Sequence, residues 1–486
     1  MGKKHYFLFV TLIALLTFQN SKTFAQVFDG QWSIDYVTED ASGNGTGQRT
    51  LAVAVLKENS FVALVSRESN NAYYIVGYKN ADSTSGRLGT YPYGTAATTD
   101  FRTRWIVGFS QIDFERTKGI AAKDSTVYVT NNDPKHYILT FDVTADTVLS
   151  HPAHLSTGDK DIWAIDVDDD GKVYVTEEGD STNPGAVLIY DNFDNESAWS
   201  SGAVGTPLQK ITLPEPGSAR GIAVNEHGTV IYVSNYLSKK VYCYIGDPVN
   251  GYSLYNGFNF NVDTTFVASD TSNVSVGPWG MKYMRGNNLL FIAHDADFQM
   301  GPAYEYGRIY IVDPNNGSVL DTINVAEWNK SVTGVYNTYI NWKASGYASV
   351  YSVDFDNNKN VYSQSYYAWT VDKWKYSSTL PTIELTITDV EKDNSQIPSK
   401  FELSQNYPNP FNPTTTIQFS LTESSNISLR VYSINGELVS TLIDNAAFAS
   451  GVYKVSFDAS KLASGTYIYK ITNGKNTISK KMILLK

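Results

Sequence analysis

The chain has 486 residues, 42% hydrophobic, 13% aromatic and 18% charged, enough apolar material for two or three domains with cores of their own, so disorder of the whole is excluded. With 38 Lys plus Arg against 49 Asp plus Glu, the net charge of -11 disfavours nonspecific binding to nucleic acid or anionic membranes. One cysteine, Cys243, excludes an intramolecular disulfide and a cysteine-rich metal cluster, and 34 Tyr and 35 Gly favour strands joined by turns.

Residues 1–25 begin with Lys3 and Lys4, continue through an apolar run from Tyr6 to Phe18, and end at Thr23-Phe24-Ala25. This is the layout of a secretory signal peptide cleaved after Ala25, and the run is too short for a retained transmembrane anchor. Cys243 lies in "KKVYCYIGD", an alternating strand in which a small side chain is expected to be buried.

Between residues 26 and 388 one phrase recurs: a small residue, a strand, a polar turn, and a second strand rich in Val and Tyr. Copies start near Ala52, Gly119, Ala164, Gly221, Gly280 and Ser352, about 60 residues apart, each long enough for a four-stranded antiparallel sheet. Such a sheet cannot bury both faces alone, and radial stacking solves the problem as a β-propeller of six, or alternatively seven, blades. "QWSIDYVTE" at Gln31–Glu39 is expected to pair beside "TVDKWKYSS" and close the ring. The phrases "VYVTNND", "VYVTEEGD" and "IAVNEHGTVIYVSNY" resemble the NHL and YVTN-type repeats of secreted and surface propellers. That resemblance implies a fold, not an activity.

Residues 389–400 read as a polar linker, and residues 401–486 as a small Ig-like β-sandwich of short alternating strands behind an entry stiffened by Pro408, Pro410 and Pro413. The motifs "NYPNPFNPTTTI", "VYSINGELV", "FDASKLASGTYIYKI" and the terminal "KKMILLK" resemble the type A C-terminal sorting domain of the type IX secretion system of Bacteroidetes and their relatives. On that resemblance Asn406, Pro408, Pro410, Gly436, Gly465, Lys480 and Lys481 are the sorting-signal residues. It also implies passage through the periplasm, recognition by the translocon and sorting machinery, and a secreted or cell-surface destination.

Several patterns are candidates for chemistry. Asp166, Asp168, Asp170 and Glu177, with Gly171, have the spacing of a calcium loop, but strand-like flanks favour a hairpin; no other cofactor is expected. "DFDNNKN" at Asp354–Asn360 repeats the spacing with Lys359 where glycine belongs. "SHPAH" at Ser150–His154 reads as a surface loop, and His294 with Asp295 and Asp297 as a turn at a blade edge. A Gly-x-Ser-x-Gly elbow, a phosphate loop and His-Glu-x-x-His are all absent. Residues preceding or starting the innermost strands should rim the channel: Arg116, Lys118, Asp161, Trp163, Arg220, Trp279 and Tyr347, a mixture suited to a glycan or peptide. The expectation is a noncatalytic, exported binding module; the alternative is a lactonase-like propeller hydrolase or lyase. Convergence of Asp161, Arg220 and His294 at the mouth would favour the enzyme.

Overall fold

The computed structural model describes residues 32–37, 48–56, 61–67, 72–78, 117–132, 136–143, 148–158, 160–192, 205–248, 251–296, 301–336, 348–366, 370–386, 390–393, 400–422, 425–448, 451–459, 462–474 and 476–486. The signal segment 1–25, Arg116, Tyr347 and Asp297 lie outside them.

Each copy of the repeat folds as a meander. Among the described residues six antiparallel sheets result, numbered here in chain order: sheet 1 (residues 48–78, three strands), sheet 2 (120–158), sheet 3 (162–212), sheet 4 (219–254), sheet 5 (277–323) and sheet 6 (350–376). The first strand of each packs against the first strand of the next, and Gln48–Val55 of sheet 1 meets Val350–Phe355 of sheet 6. The ring is thereby closed, and a narrow cavity on its axis is walled by all six first strands. These six sheets form a β-propeller.

What lets neighbouring sheets approach is written into the repeat. A Cβ on Gly119 would stand 2.4 Å from the Trp163 carbonyl oxygen, one on Gly221 2.1 Å from that of Trp279, and one on Gly280 2.3 Å from that of Tyr351. Only glycine fits there. Two of those carbonyls also accept a hydroxyl from the preceding sheet's second strand: Thr130 donates to Trp163 at 3.0 Å and Ser234 to Trp279 at 2.7 Å. Thr176 makes the equivalent bond to Ala219 at 2.9 Å.

Sheet 6 is completed from the other end of the chain. Trp32–Val37 pairs antiparallel with Thr370–Tyr376, as the sequence led us to expect. Trp32 packs on Tyr376 at 4.9 Å between ring centroids, and its indole nitrogen donates to Asp321 Oδ2 of sheet 5.

One local reading is corrected. "SHPAH" is not a loop but belongs to Val148–Gly158, the outermost strand of sheet 2, whose free edge tolerates the missing donor of Pro152. The long interval between sheets 5 and 6 contains the helix Val325–Thr333, capped by Asn324 accepting from the Glu327 N–H and by Gly334 at φ 82°.

The C-terminal region is a two-sheet sandwich. One sheet holds Gly451–Asp458 and Thr414–Leu421 at its centre, the other Ser425–Ser433 and Gly465–Thr472. Alternate side chains such as Ile417, Phe419, Leu429, Val431, Val455, Tyr469 and Ile471 are buried in its core. Val390–Asp393, within the stretch read as linker, adds an edge strand to the first sheet by pairing with Val452–Val455.

The channel is bridged by three buried charges from three sheets. Lys282 Nζ lies 2.8 Å from Asp166 Oδ1 and 3.8 Å from Asp354 Oδ1, with side-chain exposures of 17%, 1% and 9%. The acids also bind backbone: Asp166 Oδ2 accepts from Val224 N–H and Asp354 Oδ2 from Val55 N–H, tying sheet 3 to sheet 4 and sheet 6 to sheet 1. Burial works against the Lys282 ammonium, but the two carboxylates outweigh it and leave its pKa above the ordinary lysine value. Lys282→Met would strand two carboxylates, at a cost of about 3–5 kcal/mol in urea unfolding followed by tryptophan fluorescence. Adding Asp166→Asn and Asp354→Asn should recover part of that loss; unchanged stability in the single variant would refute the role of the bridge.

Candidate functional site

At the end of the channel where the first strands begin, cationic and aromatic side chains from successive sheets interleave. The Arg220 guanidinium sits 4.0 Å from the Trp163 ring centroid and 4.5 Å from that of Trp279. Trp279 stacks on Tyr351 at 4.0 Å, Tyr351 on Tyr366 at 5.0 Å, and Lys118 Nζ lies 4.6 Å over Trp163. Arg220 is fixed edge-on as well, since Nε donates to Ser218 Oγ and a terminal nitrogen lies 3.4 Å from Glu178 Oε1. Such contacts are worth about 0.5–2 kcal/mol each, according to how dry they are.

Of the rim residues expected from sequence, Lys118, Trp163, Arg220 and Trp279 come together here. Asp161 does not join them. Its Oδ1 lies 3.4 Å from His136 Nδ1, beside the Asn132 side chain that bonds both backbone groups of Ile162.

The acids with calcium-loop spacing disperse. Asp166 faces the channel and Lys282; Asp168 accepts from Tyr174 OH and Lys172 N–H at 2.8 Å each. Burial raises the Asp168 carboxyl, and those two bonds oppose it. Asp170 neighbours Lys172 and His227, while Glu177 is held by Lys160 and Lys210. Gly171 at φ 85° makes the hairpin turn. Among the described residues no three His, Cys, Asp or Glu side chains gather in a metal-holding group.

His294 is buried in the second strand of sheet 5, away from the mouth, where Nδ1 is 2.7 Å from Tyr306 OH, itself 3.0 Å from Tyr310 OH. Phe260 packs edge-on against the ring, and Nε2 has no hydrogen-bond partner among the described residues. Cys243 is buried beneath Tyr232, and burial pushes its thiol pKa up, away from nucleophilic use.

In the sandwich, Asn406 is buried and holds the proline-rich entry in place. It donates to Pro408 O and Thr415 Oγ1, and its N–H bonds Tyr469 OH at 2.8 Å. Gly436, at φ 85°, turns the hairpin after Ser433. Lys480 and Lys481 lie on the edge strand Thr477–Leu484, paired with Tyr469 and Ile468, and Gly465 begins the strand beside it.

Fold and charge layout define an all-β protein in two parts, a propeller and a sandwich tail. The tail carries the family assignment: residues 405–485 match the secretion system C-terminal sorting domain. The protein is therefore exported cargo, destined for the cell surface or the medium, and it engages the type IX secretion machinery. No helix among the described residues is long and apolar enough to cross a membrane. No curated protein sequence matches the chain. Among solved structures it is similar to a gluconolactonase from Xanthomonas campestris, at 11% identity over 72% of this chain and 91% of that one, with a TM-score of 0.41. It is also similar to regucalcin, described as a calcium-binding protein, from Agrobacterium tumefaciens, at 9% identity over 69% and 95%, with a TM-score of 0.37.

Burial, then the charges of Arg308 and Lys239, hold His294 well below the ordinary histidine pKa. The contribution is complete above about pH 6.5, where both folded and unfolded histidine are neutral, and is lost as pH falls toward the folded pKa. His294→Phe should flatten the acid limb of the stability profile by up to about 1.4 kcal/mol per pH unit below pH 6.5. Urea unfolding between pH 7.5 and 5 measures it, and parallel profiles would exclude the effect.

Proposed function

We propose that the exported propeller is a noncatalytic binding module whose channel mouth takes an extracellular glycan or peptide. The observation that carries this reading is the spread of the polar groups an enzyme would need together. Asp161 lies beside His136, His294 is buried in sheet 5, and Arg220 is packed between two indoles. The two acids facing the channel are bound to Lys282 and to backbone N–H groups. Trp163 and Lys118, both half-buried at the mouth, offer a ring face and a cation of the kind that holds a sugar or peptide.

In the same reading the repeats are NHL- or YVTN-like, and a signal peptide ends at Ala25. The propeller spans 26–388 and the sorting domain 401–486, and the 389–400 segment between them lends the strand Val390–Asp393 to the sandwich.

The test is an array of glycans and peptides probed with the exported chain, followed by titration of each hit and an assay for lactone hydrolysis. A ligand bound without turnover is expected, with Lys118→Ala weakening it about fivefold through the lost cation–π contact. Turnover of a lactone would replace this reading with the lactonase-like one. Ligands indifferent to Lys118→Ala would remove them from the mouth.

A further inference from the structure

The opposite end of the channel opens into a separate cavity of about 560 Å³, ringed by the hairpins that follow the first strands. This volume is in the range of small-molecule sites. Lys282 and Asp354 line both this cavity and the narrow axial one, so the buried charge bridge forms the partition between the two ends.

The acids on the cavity wall are already engaged. Asp169 binds Arg285 at 2.6 Å. Asp354 holds Lys282 and the Val55 and Phe355 N–H groups. Asp356 accepts from the Asn358 and Asn360 N–H groups and pairs with Lys373 at 3.5 Å, and Asp124 has a partner too. Two lysines on the same wall, Lys123 and Lys359, have side-chain amines that make no ion pair or hydrogen bond among the described residues. The unengaged groups are thus both cationic.

Lys359 is placed at a conformational cost. In three sheets the first hairpin makes the same turn, in which the N–H of one residue bonds the carbonyl three positions back: Gly171 to Asp168, Gly228 to Asn225 and Lys359 to Asp356. The first two are glycines at φ 85° and 64°; the third is lysine at φ 63°. A lysine in that left-handed region is disfavoured relative to glycine. Outliers of this kind collect at functional sites.

We propose that this cavity is a second binding site, distinct from the aromatic mouth, for a small organic anion whose carboxylate, sulfate or phosphate is held by Lys123 and Lys359. The apolar side chains of Leu56 and Phe355 on the same wall would cover the body of the ligand. Lysine suits the task as a mobile point charge, able to reach an oxyanion from a hairpin tip.

The test is calorimetric titration of the full chain with glucuronate, glucose 6-sulfate and glucose 6-phosphate, with glucose as the neutral comparison. Binding of at least one anion, weakened by added salt and absent for glucose, is expected, and the three arms identify the oxyanion. Lys359→Gly should weaken that binding about fivefold or more while melting no lower than the wild type, because glycine is at ease at this φ; misfolding is thereby separated from loss of the amine. Lys123→Ala combined with Lys359→Gly should abolish it. Equal binding of glucose, binding of no anion, or unchanged affinity in the double variant would overturn the proposal.

Discussion

The propeller depends on how closely one sheet can approach the next. Along three of the seams a main-chain carbonyl projects into the space where a Cβ would otherwise be, and glycine at 119, 221 and 280 leaves that space open. A hydroxyl from the neighbouring sheet then satisfies the carbonyl at two of these seams, so a buried acceptor is not left unpaired. The small residue and the Thr or Ser of the repeating phrase are two halves of one contact. Acids also cross the seams: Asp295 Oδ2 accepts the Val350 N–H between sheets 5 and 6, and Asp354 Oδ2 the Val55 N–H between sheets 6 and 1.

This seam chemistry leaves the axis to side chains one step further along each strand, and there the copies diverge. Lys282, Asp166 and Asp354 meet across the centre, while small residues such as Ala54, Ala121 and Ala223 make room for them. Buried pairs of this kind give little net stability, but losing one partner is expensive. Their effect is to divide the axis: an aromatic and cationic stack at one end, an open cavity at the other.

Much of this was legible in the primary structure. Small-residue, β-branched and tyrosine positions recur because each copy builds the same kind of sheet against its neighbour, and the pairing of the closing strand followed from the way propellers close their ring. The tail was legible for another reason, since its motifs resemble a known sorting domain, and in "NYPNPF" the structure shows Asn406 binding the motif to its own sandwich. The axial bridge was not legible. Asp166, Lys282 and Asp354 sit in three copies far apart in sequence, and each alone reads as an ordinary polar residue. The spacing of Asp166, Asp168, Asp170 and Glu177 allowed for one shared ion, but Asp166 lies in the strand before the turn, Asp168 and Asp170 in the turn and Glu177 at the end of the strand after it, and each acid found a cation or a donor of its own. In "SHPAH" proline suggested a loop because sequence does not say which strand lies at an edge.

The pairing of Trp32–Val37 with Thr370–Tyr376 has a consequence for the order of events during secretion. The segment that leaves the ribosome early must wait, its hydrogen-bonding edge unsatisfied, until more than three hundred further residues have been made. Contacts of such separation form late and slowly. Any nascent or truncated form that stops short of sheet 6 would leave Trp32–Val37 with an open β-edge, inviting partners of its own kind. Completion of the circle is therefore a built-in report that the entire cargo has arrived, available before the tail at the far end is ever read.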